Sequence, residues 1–380
     1  MLHLNVPYWR AVAIMIGGIV GVGVFGMPYA FSRSGFATGL LTLALLALAM
    51  LALNLMYAEL VLQTPGKHRL GGYVRTYLGE RFALPASVVM MASLAGAMLA
   101  FMVVGGKFLS TLLSPALGGP EAAYAFAIPL FSLFASRRGV KLASKVETVV
   151  VGATLFLFAF IALSALPHAS VGNLATNDPA RALLPFGIVL FALTGAGIIP
   201  EMRDVLGARH QRLLPRAIVR ASLVIALLYA AFCASVVGAT GSATTEAAFD
   251  GLIPLLGRSF GLIAALLGSL TVTSIFLTHS VQLQQLLHVD HGMRRAHAWL
   301  VASLAAPALY LSGARDFISI ISFVGSVLGG AIALLILATY ETMRRGTRCR
   351  ERRCLEVPVG VSWGIAVVFI IGIAIGIISL

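Results

Sequence analysis

Charged residues are scarce in this chain, and acidic residues are the scarcest. Only 11% of the 380 residues are Asp, Glu, Lys or Arg, and 14 acidic residues stand against 27 basic ones. A soluble domain carries about 25% charged residues, so this composition excludes an ordinary soluble protein. Apolar residues make up 59% of the chain, and the mean hydropathy is +0.97. The sequence therefore predicts an all-α protein that crosses a membrane many times.

Cysteine is also nearly absent. Cys233 lies in an apolar run, and Cys349 and Cys354 lie in an Arg-rich segment. This number and placement do not suit a disulfide framework, and we interpret the last two as reduced cytoplasmic thiols rather than a metal site. No aromatic and basic stripe accompanies the net charge of +13, so we expect no nucleic-acid partner.

Eleven apolar segments are long enough to cross a bilayer core as helices, which takes about 20 residues. They are residues 11–32, 36–63, 84–113, 121–136, 146–167, 182–203, 217–240, 259–288, 297–312, 317–342 and 358–380. The fourth segment is short and contains Pro129. We nevertheless expect it to cross, because otherwise the basic loops would fall on both sides of the membrane. We interpret the first as a retained helix rather than a cleaved signal.

The basic residues predict the orientation. With the N-terminus in the cytoplasm, all Lys and Arg residues but five lie on the cytoplasmic side. The exceptions are Arg33, Lys107, Arg181, Arg258 and Arg315. We therefore expect a multi-pass protein of a prokaryotic cytoplasmic membrane, with the lipid bilayer around it and the C-terminus outside. Lys107, in the outer half of the third segment, is expected to extend toward the interface.

The segments form two sets of five, in a single transmembrane domain over residues 1–380. Residues 11–168 hold the first set, residues 182–342 the second, and residues 358–380 an extra helix. Because five is odd, the second set starts on the opposite side of the membrane from the first. The fold class predicted is therefore a polytopic 5+5 inverted repeat with an eleventh helix.

The first and sixth segments carry the same interruption. Residues 21–23 read Gly-Val-Gly ahead of Pro28, and residues 195–197 read Gly-Ala-Gly ahead of Pro200. Glycine and proline weaken a helix, and unwound backbone at membrane depth must be buried or line a cavity. Interruptions at corresponding positions of two halves are typical of a transporter's substrate site.

A broken helix exposes N–H groups where one half starts and carbonyl groups where the other half ends. A zwitterion offers a carboxylate to the first and an ammonium group to the second, so we expect it to bind between the two breaks. The predicted substrate-binding residues are Gly21, Val22, Gly23, Phe191, Ala192, Thr194 and Gly195. The alternative is that small residues only let helices pack, and we prefer it for Gly17 and Gly26.

A family resemblance is carried by these same residues. Residues 17–31, Gly-Gly-Ile-Val-Gly-Val-Gly-Val-Phe-Gly-Met-Pro-Tyr-Ala-Phe, resemble the first helix of amino acid permeases in the amino acid/polyamine/organocation (APC) superfamily. Residues 185–201 resemble the sixth helix of its amino acid/auxin and hydroxy/aromatic branches. The resemblance implies the fold of the leucine transporter (LeuT), with helices 1 and 6 broken, and alternating access to one central site.

Resemblance to sodium-coupled members implies a cation between the first and eighth helices. Its predicted ligands are the carbonyls of Gly17, Val20 and Leu270 and the hydroxyls of Thr273 and Ser274. The alternative is that these hydroxyls bond to their own backbone. Some proton-coupled relatives place a Lys in the fifth helix, and this chain has none there. The driving ion, Na⁺ or H⁺, stays open, and no other cofactor is expected.

Ionisable residues at membrane depth are candidates for gating or coupling. We expect Glu59 and Glu201 to form an inner-gate salt bridge with a cytoplasmic arginine such as Arg203, with proton transfer as the alternative. His279 is interpreted as a neutral side chain between helices, with protonation during transport as the alternative.

Two loops have helical apolar spacing. Residues 70–78 suit an interfacial helix, and residues 249–256 suit either an outer lid or a passive surface helix.

The function predicted is secondary active transport of an amino acid by a permease or symporter. Ala97, Gly96 and Ala196 are small pocket candidates that leave room for a neutral or aromatic side chain. A non-transporting amino acid sensor on the same scaffold stays open. An intramembrane enzyme is not expected, because the one close cluster of His and Asp residues, at residues 288–291, falls in a polar loop. The oligomeric state is not predicted.

Overall fold

The computed structural model describes residues 6–66, 68–136, 140–195, 197–346 and 357–378, and this part of the chain is helical without a strand. Each predicted segment coincides with a helix or a helix pair. They are α1a Val6–Ile19, α1b Gly23–Ser34, α2 Phe36–Gln63, α3 Glu80–Leu117, α4a Glu121–Ala125, α4b Ala127–Ser136, α5 Val140–Ala165, α6a Leu184–Leu193, α6b Ile198–His210, α7 Leu214–Thr240, α8 Arg258–Gln285, α9 Arg295–Leu311, α10a Phe317–Phe323, α10b Gly330–Arg345 and α11 Val359–Ile378. Ala196, Cys349 and Cys354 lie outside the described residues.

Six of the described helices are long and apolar enough to cross a membrane alone, and the bent pair α1a and α1b makes a seventh span. The fourth segment, predicted to cross, is a short apolar helix pair that divides at Phe126 and is below the length of the other spans. Because successive helices run in opposite directions, the loops between them lie alternately at the two ends of the bundle. We call them the Arg69 end, where α2 leads toward α3, and the Glu246 end, where α7 leads toward α8.

A very close helix crossing lies between α6a and α10. Between α10a and α10b the chain forms a π-helical turn, Val324–Gly329. A Cβ atom added to Gly325 would lie 2.0 Å from the carbonyl oxygen of Gly187 and 2.6 Å from the nitrogen of Phe191. Because both contacts are with backbone, no side chain can move aside. This crossing fixes α6a, and with it the break that follows Leu193.

The predicted amphipathic helix after α2 is present as Leu70–Leu78. Its apolar residues Leu70, Tyr73 and Val74 are buried, and the helix packs against α3 and α10b. Its apolar face therefore covers the protein itself.

The α6a and α10 crossing generates a stability prediction. Gly325→Ala forces the two backbones apart, so we expect it to lower the free energy of unfolding by about 1–3 kcal/mol, the usual cost of overpacking. The midpoint of thermal unfolding in detergent measures this. Gly364→Ala is the matched control in α11, because no atom lies within 4 Å of its added Cβ. Equal midpoints for the two variants would contradict the proposed role of this crossing.

Candidate substrate site at the two helix breaks

The break in α1 leaves donors at the start of α1b. The axes of α1a and α1b meet at 59°. Val24 N–H donates to the Gly21 carbonyl at 3.4 Å, and Phe25 N–H donates to the Val22 carbonyl at 3.1 Å. Within the described residues, the N–H groups of Gly21, Val22 and Gly23 have no backbone acceptor. Together with the helix dipole, they form a binding place for an anionic group.

The break in α6 leaves carbonyl groups at the end of α6a. Thr194 caps this end, because its N–H donates to the Phe191 carbonyl at 3.2 Å and its hydroxyl to the Leu190 carbonyl at 2.7 Å. The chain turns back into a helix when Ile198 N–H donates to the Gly195 carbonyl at 3.0 Å. Each carbonyl oxygen has two lone pairs, so this end remains attractive to a cation after capping.

The two breaks touch each other reciprocally. A Cβ atom on Gly23 would lie 2.9 Å from the Cα of Ala192, and a Cβ atom on Gly195 would lie 2.3 Å from a side-chain carbon of Ile19. The glycine of each break therefore packs against the last turn of the opposite half-helix. For these two glycines close packing explains the residue type.

The other glycine of each pair has free space beside it. A Cβ atom on Gly197 would find no atom within 4 Å, and one on Gly21 would meet only ordinary contacts, the nearest being Ile275 Cδ1 at 3.5 Å. Both glycines line the same cavity. Gly21 and Gly197 are therefore the positions at which a ligand can approach the backbone directly.

A tyrosine that the sequence did not single out joins the two breaks. Tyr229 of α7 is fully buried, and its hydroxyl donates to the carbonyls of Ile19 at 3.2 Å and Ala192 at 2.9 Å. It thus holds the carbonyl ends of α1a and α6a together. The carbonyl of Ala192, expected to bind an ammonium group, already accepts from Tyr229. No motif surrounds this residue in the apolar α7 sequence, so only the structure reveals the bridge.

One cavity of about 520 Å³ extends from the breaks to the Arg69 end. It contains every predicted substrate-binding residue. Its other walls come mainly from α3, α6b and α8, and Tyr57 of α2, Thr154 of α5 and Ile332 of α10b also contribute. The side chains from those walls include Met90, Ser93, Leu94, Ala97, Phe101, Glu201, Asp204, Ser274, Ile275, Thr278, His279 and Gln282. His68 and Arg69 lie at its mouth. Of the small pocket candidates, Ala97 lines the cavity, whereas Gly96 faces Val324 of α10.

Between the cavity and the Glu246 end lies a buried aromatic cluster. Its members are Phe25, Phe108, Phe158, Phe232 and Phe249, contributed by α1b, α3, α5, α7 and the loop before α8. The closest ring centroids, those of Phe108 and Phe249, are 4.7 Å apart. Burial of five rings in edge and tilted contacts makes this a firm closure.

An ion pair covers the aromatic cluster. Lys107 Nζ lies 3.1 Å from Glu246 Oε2, which joins α3 to the loop that carries Phe249. Lys107 was expected to extend toward the interface, and it forms this ion pair instead. The loop carrying Phe249 is thus held against α3 by an ion pair and a ring contact, and its role as an outer lid stays a prediction.

Comparison with known proteins gives the family. The model of the tryptophan/tyrosine permease family matches residues 6–379. The chain belongs to this family. It is also 24% identical over 195 residues to the tyrosine-specific transport system 1 of Haemophilus influenzae. The aligned region covers 51% of this chain and 48% of that protein. The chain thus matches about half the length of that curated relative.

Solved structures of transporters share the fold of this permease. A manganese transporter of Eremococcus coleocola superposes with a TM-score of 0.69 at 14% identity, over 98% of this chain and 85% of the other. MhsT in complex with L-phenylalanine superposes with a TM-score of 0.66 at 14% identity, over 99% and 98%. The predicted LeuT-like inverted repeat is confirmed. The family and these neighbours are transporters, which also confirms the prediction that the chain is not an enzyme.

The predicted cation ligands of the permease lie in different surroundings. Gly17, Val20 and Ser274 line the cavity. Thr273 donates its hydroxyl to the Ser269 carbonyl at 2.7 Å, and the Leu270 side chain faces outward, 55% exposed. A hydroxyl pair not included in the prediction, Thr154 of α5 and Thr271 of α8, is buried at 3.3 Å. The sodium site stays a prediction.

The acidic residues predicted for gating lie near the Arg69 end. Glu59 accepts from Gln63 at 2.7 Å, and Glu201 lines the cavity. Arg203 is buried and donates to the carbonyls of Val61 at 3.0 Å and Gly66 at 3.1 Å, with Asp204 at 3.3 Å. Arg203 therefore ties α6b to the end of α2. The roles of Glu59 and Glu201 in gating or proton coupling stay predictions.

The Tyr229 bridge generates a prediction for both stability and binding. Tyr229→Phe keeps the ring but leaves two buried carbonyls without their donor, so we expect a loss of about 1–3 kcal/mol in the free energy of unfolding. Substrate affinity should fall as well, because the two breaks lose their common fixed point. Thermal unfolding and ligand binding measure the two effects. Tyr310→Phe, at a tyrosine that packs against Phe126, is the control. An unchanged Tyr229→Phe protein would contradict the role assigned to the bridge.

Asp250, in the loop before α8, generates a prediction about pH. Asp250 shares a polar cavity of about 390 Å³ with Lys107 and Glu121. Burial raises the pKa of Asp250 to about 6, Lys107 opposes this shift, and Glu121 adds to it. The folded protein then binds more protons than the unfolded chain between about pH 4 and 6, so this group lowers stability as the pH rises through that window.

Asp250→Asn should remove the part of the pH dependence of stability that Asp250 causes. The variant is then expected to unfold at a higher temperature than the wild type at pH 7 and at a similar temperature at pH 4. Thermal unfolding across this pH range is the measurement, with Glu80→Gln as a control at an exposed carboxylate of the Arg69 end. A pH profile that Asp250→Asn leaves unchanged would show that Asp250 does not titrate in this window.

Proposed function

We propose that this protein is a secondary active transporter of aromatic amino acids, working by alternating access and driven by a sodium or proton gradient. The observation that carries the proposal is the contact between the two helix breaks at one cavity. N–H groups of residues 21–23 face a carboxylate there, and the carbonyl end of α6a faces an ammonium group. An α-amino acid carries both groups on the same carbon atom, Cα.

The comparisons support an aromatic side chain. The family is named for tryptophan and tyrosine permeases, one relative is named as tyrosine-specific, and one structural neighbour holds L-phenylalanine. A cavity of about 520 Å³ that includes the small Ala97 has space for such a side chain. The finer assignment to the amino acid/auxin or hydroxy/aromatic branch remains a prediction.

The positive-inside rule supports placing the Arg69 end in the cytoplasm of a bacterial cell. The cavity then opens inward, while the five phenylalanine rings and the Lys107–Glu246 pair close the outer side. An inward-facing state with a thick outer closure is one of the two states that alternating access requires.

Uptake into proteoliposomes tests the proposal. Purified protein should accumulate labelled L-tyrosine or L-tryptophan above equilibrium when the coupling gradient is imposed, and accumulation should collapse when an ionophore dissipates it. Imposing the sodium gradient and the proton gradient separately identifies the driving ion. Gly21→Val is the matched inactive control, because it fills the space reserved for the carboxylate in a position where a side chain meets little obstruction.

Absence of uptake and exchange for every aromatic amino acid, from folded protein, would contradict transport. Binding without translocation would favour the sensor instead.

A further inference from the structure

The cavity contains a second feature, on α8, that the backbone site does not use. Ile275 lies beside Gly21, where the carboxylate is expected. His279 follows one helical turn later toward the Arg69 end and lines the same cavity. One turn of helix advances about 6 Å, which is comparable to the length of a tyrosine side chain. A substrate held at the breaks therefore brings its ring tip to the level of His279.

The hydrogen bonding of His279 defines its free nitrogen. Nδ1 lies 3.0 Å from the carbonyl oxygen of Ile275. Since a carbonyl oxygen only accepts, this contact assigns the proton of a neutral ring to Nδ1 and leaves Nε2 as an acceptor. Among the described residues, Nε2 of His279 forms no hydrogen bond and the side chain is half-buried, so Nε2 is open to the cavity.

The orientation of the imidazole is fixed by a ring contact. Phe101 of α3 and His279 stand edge to face, with centroids 5.0 Å apart and planes at 88°. Phe101 also lines the cavity, and Ala97 lies one turn from it on the same face of α3. The small Ala97 leaves room for a ring beside an immobilised imidazole.

We propose that His279 determines the specificity of this site, by accepting a hydrogen bond from a donor on the substrate's ring. Such a donor is the phenol O–H of tyrosine or the indole N–H of tryptophan. Phenylalanine, with no donor, covers Nε2 without pairing it, and a site built around a hydrogen bond penalises an analogue that cannot form it. The inference rests on the proposed transport function and names the substrate class within it.

Competition against labelled L-tyrosine binding tests the inference in the wild-type protein first. L-phenylalanine should compete about tenfold or more weakly than L-tyrosine, the expected loss for one hydrogen bond. Similarly, 1-methyl-L-tryptophan, which lacks the indole donor, should compete more weakly than L-tryptophan. These ratios need no variant, so they hold as a test even if a substitution prevents folding.

Variants then assign the ratios to one side chain. His279→Phe keeps a ring against Phe101 but has no acceptor, so the ratio of tyrosine to phenylalanine affinity should fall toward one. His279→Asn supplies a shorter acceptor and should recover part of it. His297→Phe is the matched control at an exposed histidine of α9, and should leave the ratio at its wild-type value.

The outcomes separate the two proposals. Equal competition by tyrosine and phenylalanine in the wild type, or an unchanged ratio in His279→Phe, would overturn the role of His279 while transport itself stands. Failure of every aromatic amino acid to bind or be taken up would instead overturn the proposed function.

Discussion

Backbone polar groups at membrane depth need partners, and the rest of this structure follows from how two broken helices meet that need. In hydrocarbon each unsatisfied group costs several kcal/mol. The breaks after Ile19 and Leu193 would therefore be unstable if they were separate. Placed together, they share Tyr229, whose hydroxyl donates to a carbonyl from each half-helix. The groups left over are N–H donors on one side and carbonyl lone pairs on the other, the complement of a zwitterion.

Closure of the bundle is unequal at its two ends, and different interactions act at each. Aromatic burial dominates the Glu246 end, where one loop contributes both Phe249 and the carboxylate that pairs with Lys107. The Arg69 end is held by polar contacts, with Arg203 on the carbonyls of Val61 and Gly66. Opening of the first end would require separating buried rings, whereas at the second end the cavity is lined by the exposed Arg69. The two ends are thus held by different kinds of interaction, as the proposed alternating mechanism requires.

The sequence predicted the elements that depend on local composition. The inverted repeat and the positions of both breaks follow from parity and the Gly-x-Gly patterns, and the fold confirms them. The eleven apolar segments coincide with helices, of which six or seven are long enough to cross a membrane. The glycine pairs also predicted a contact between ligand and backbone, which stays a prediction. They did not predict that Gly23 and Gly195 pack while Gly21 and Gly197 stay open. That division depends on which half-helix crosses which, a long-range property. Other contacts likewise join residues far apart in the chain, so no local sequence pattern predicts them. They are the Tyr229 bridge, the aromatic closure and the contact of Phe101 with His279.

The most direct measurement of the central claim is competition by substrate analogues that each lack one charge. Tyramine keeps the ring and the ammonium group of tyrosine without the carboxylate, and 3-(4-hydroxyphenyl)propionate keeps the ring and the carboxylate without the ammonium group. If the breaks bind a zwitterion, neither compound displaces labelled L-tyrosine at concentrations where unlabelled L-tyrosine does so completely. Displacement by either analogue at the concentration effective for L-tyrosine would contradict recognition by the two breaks together.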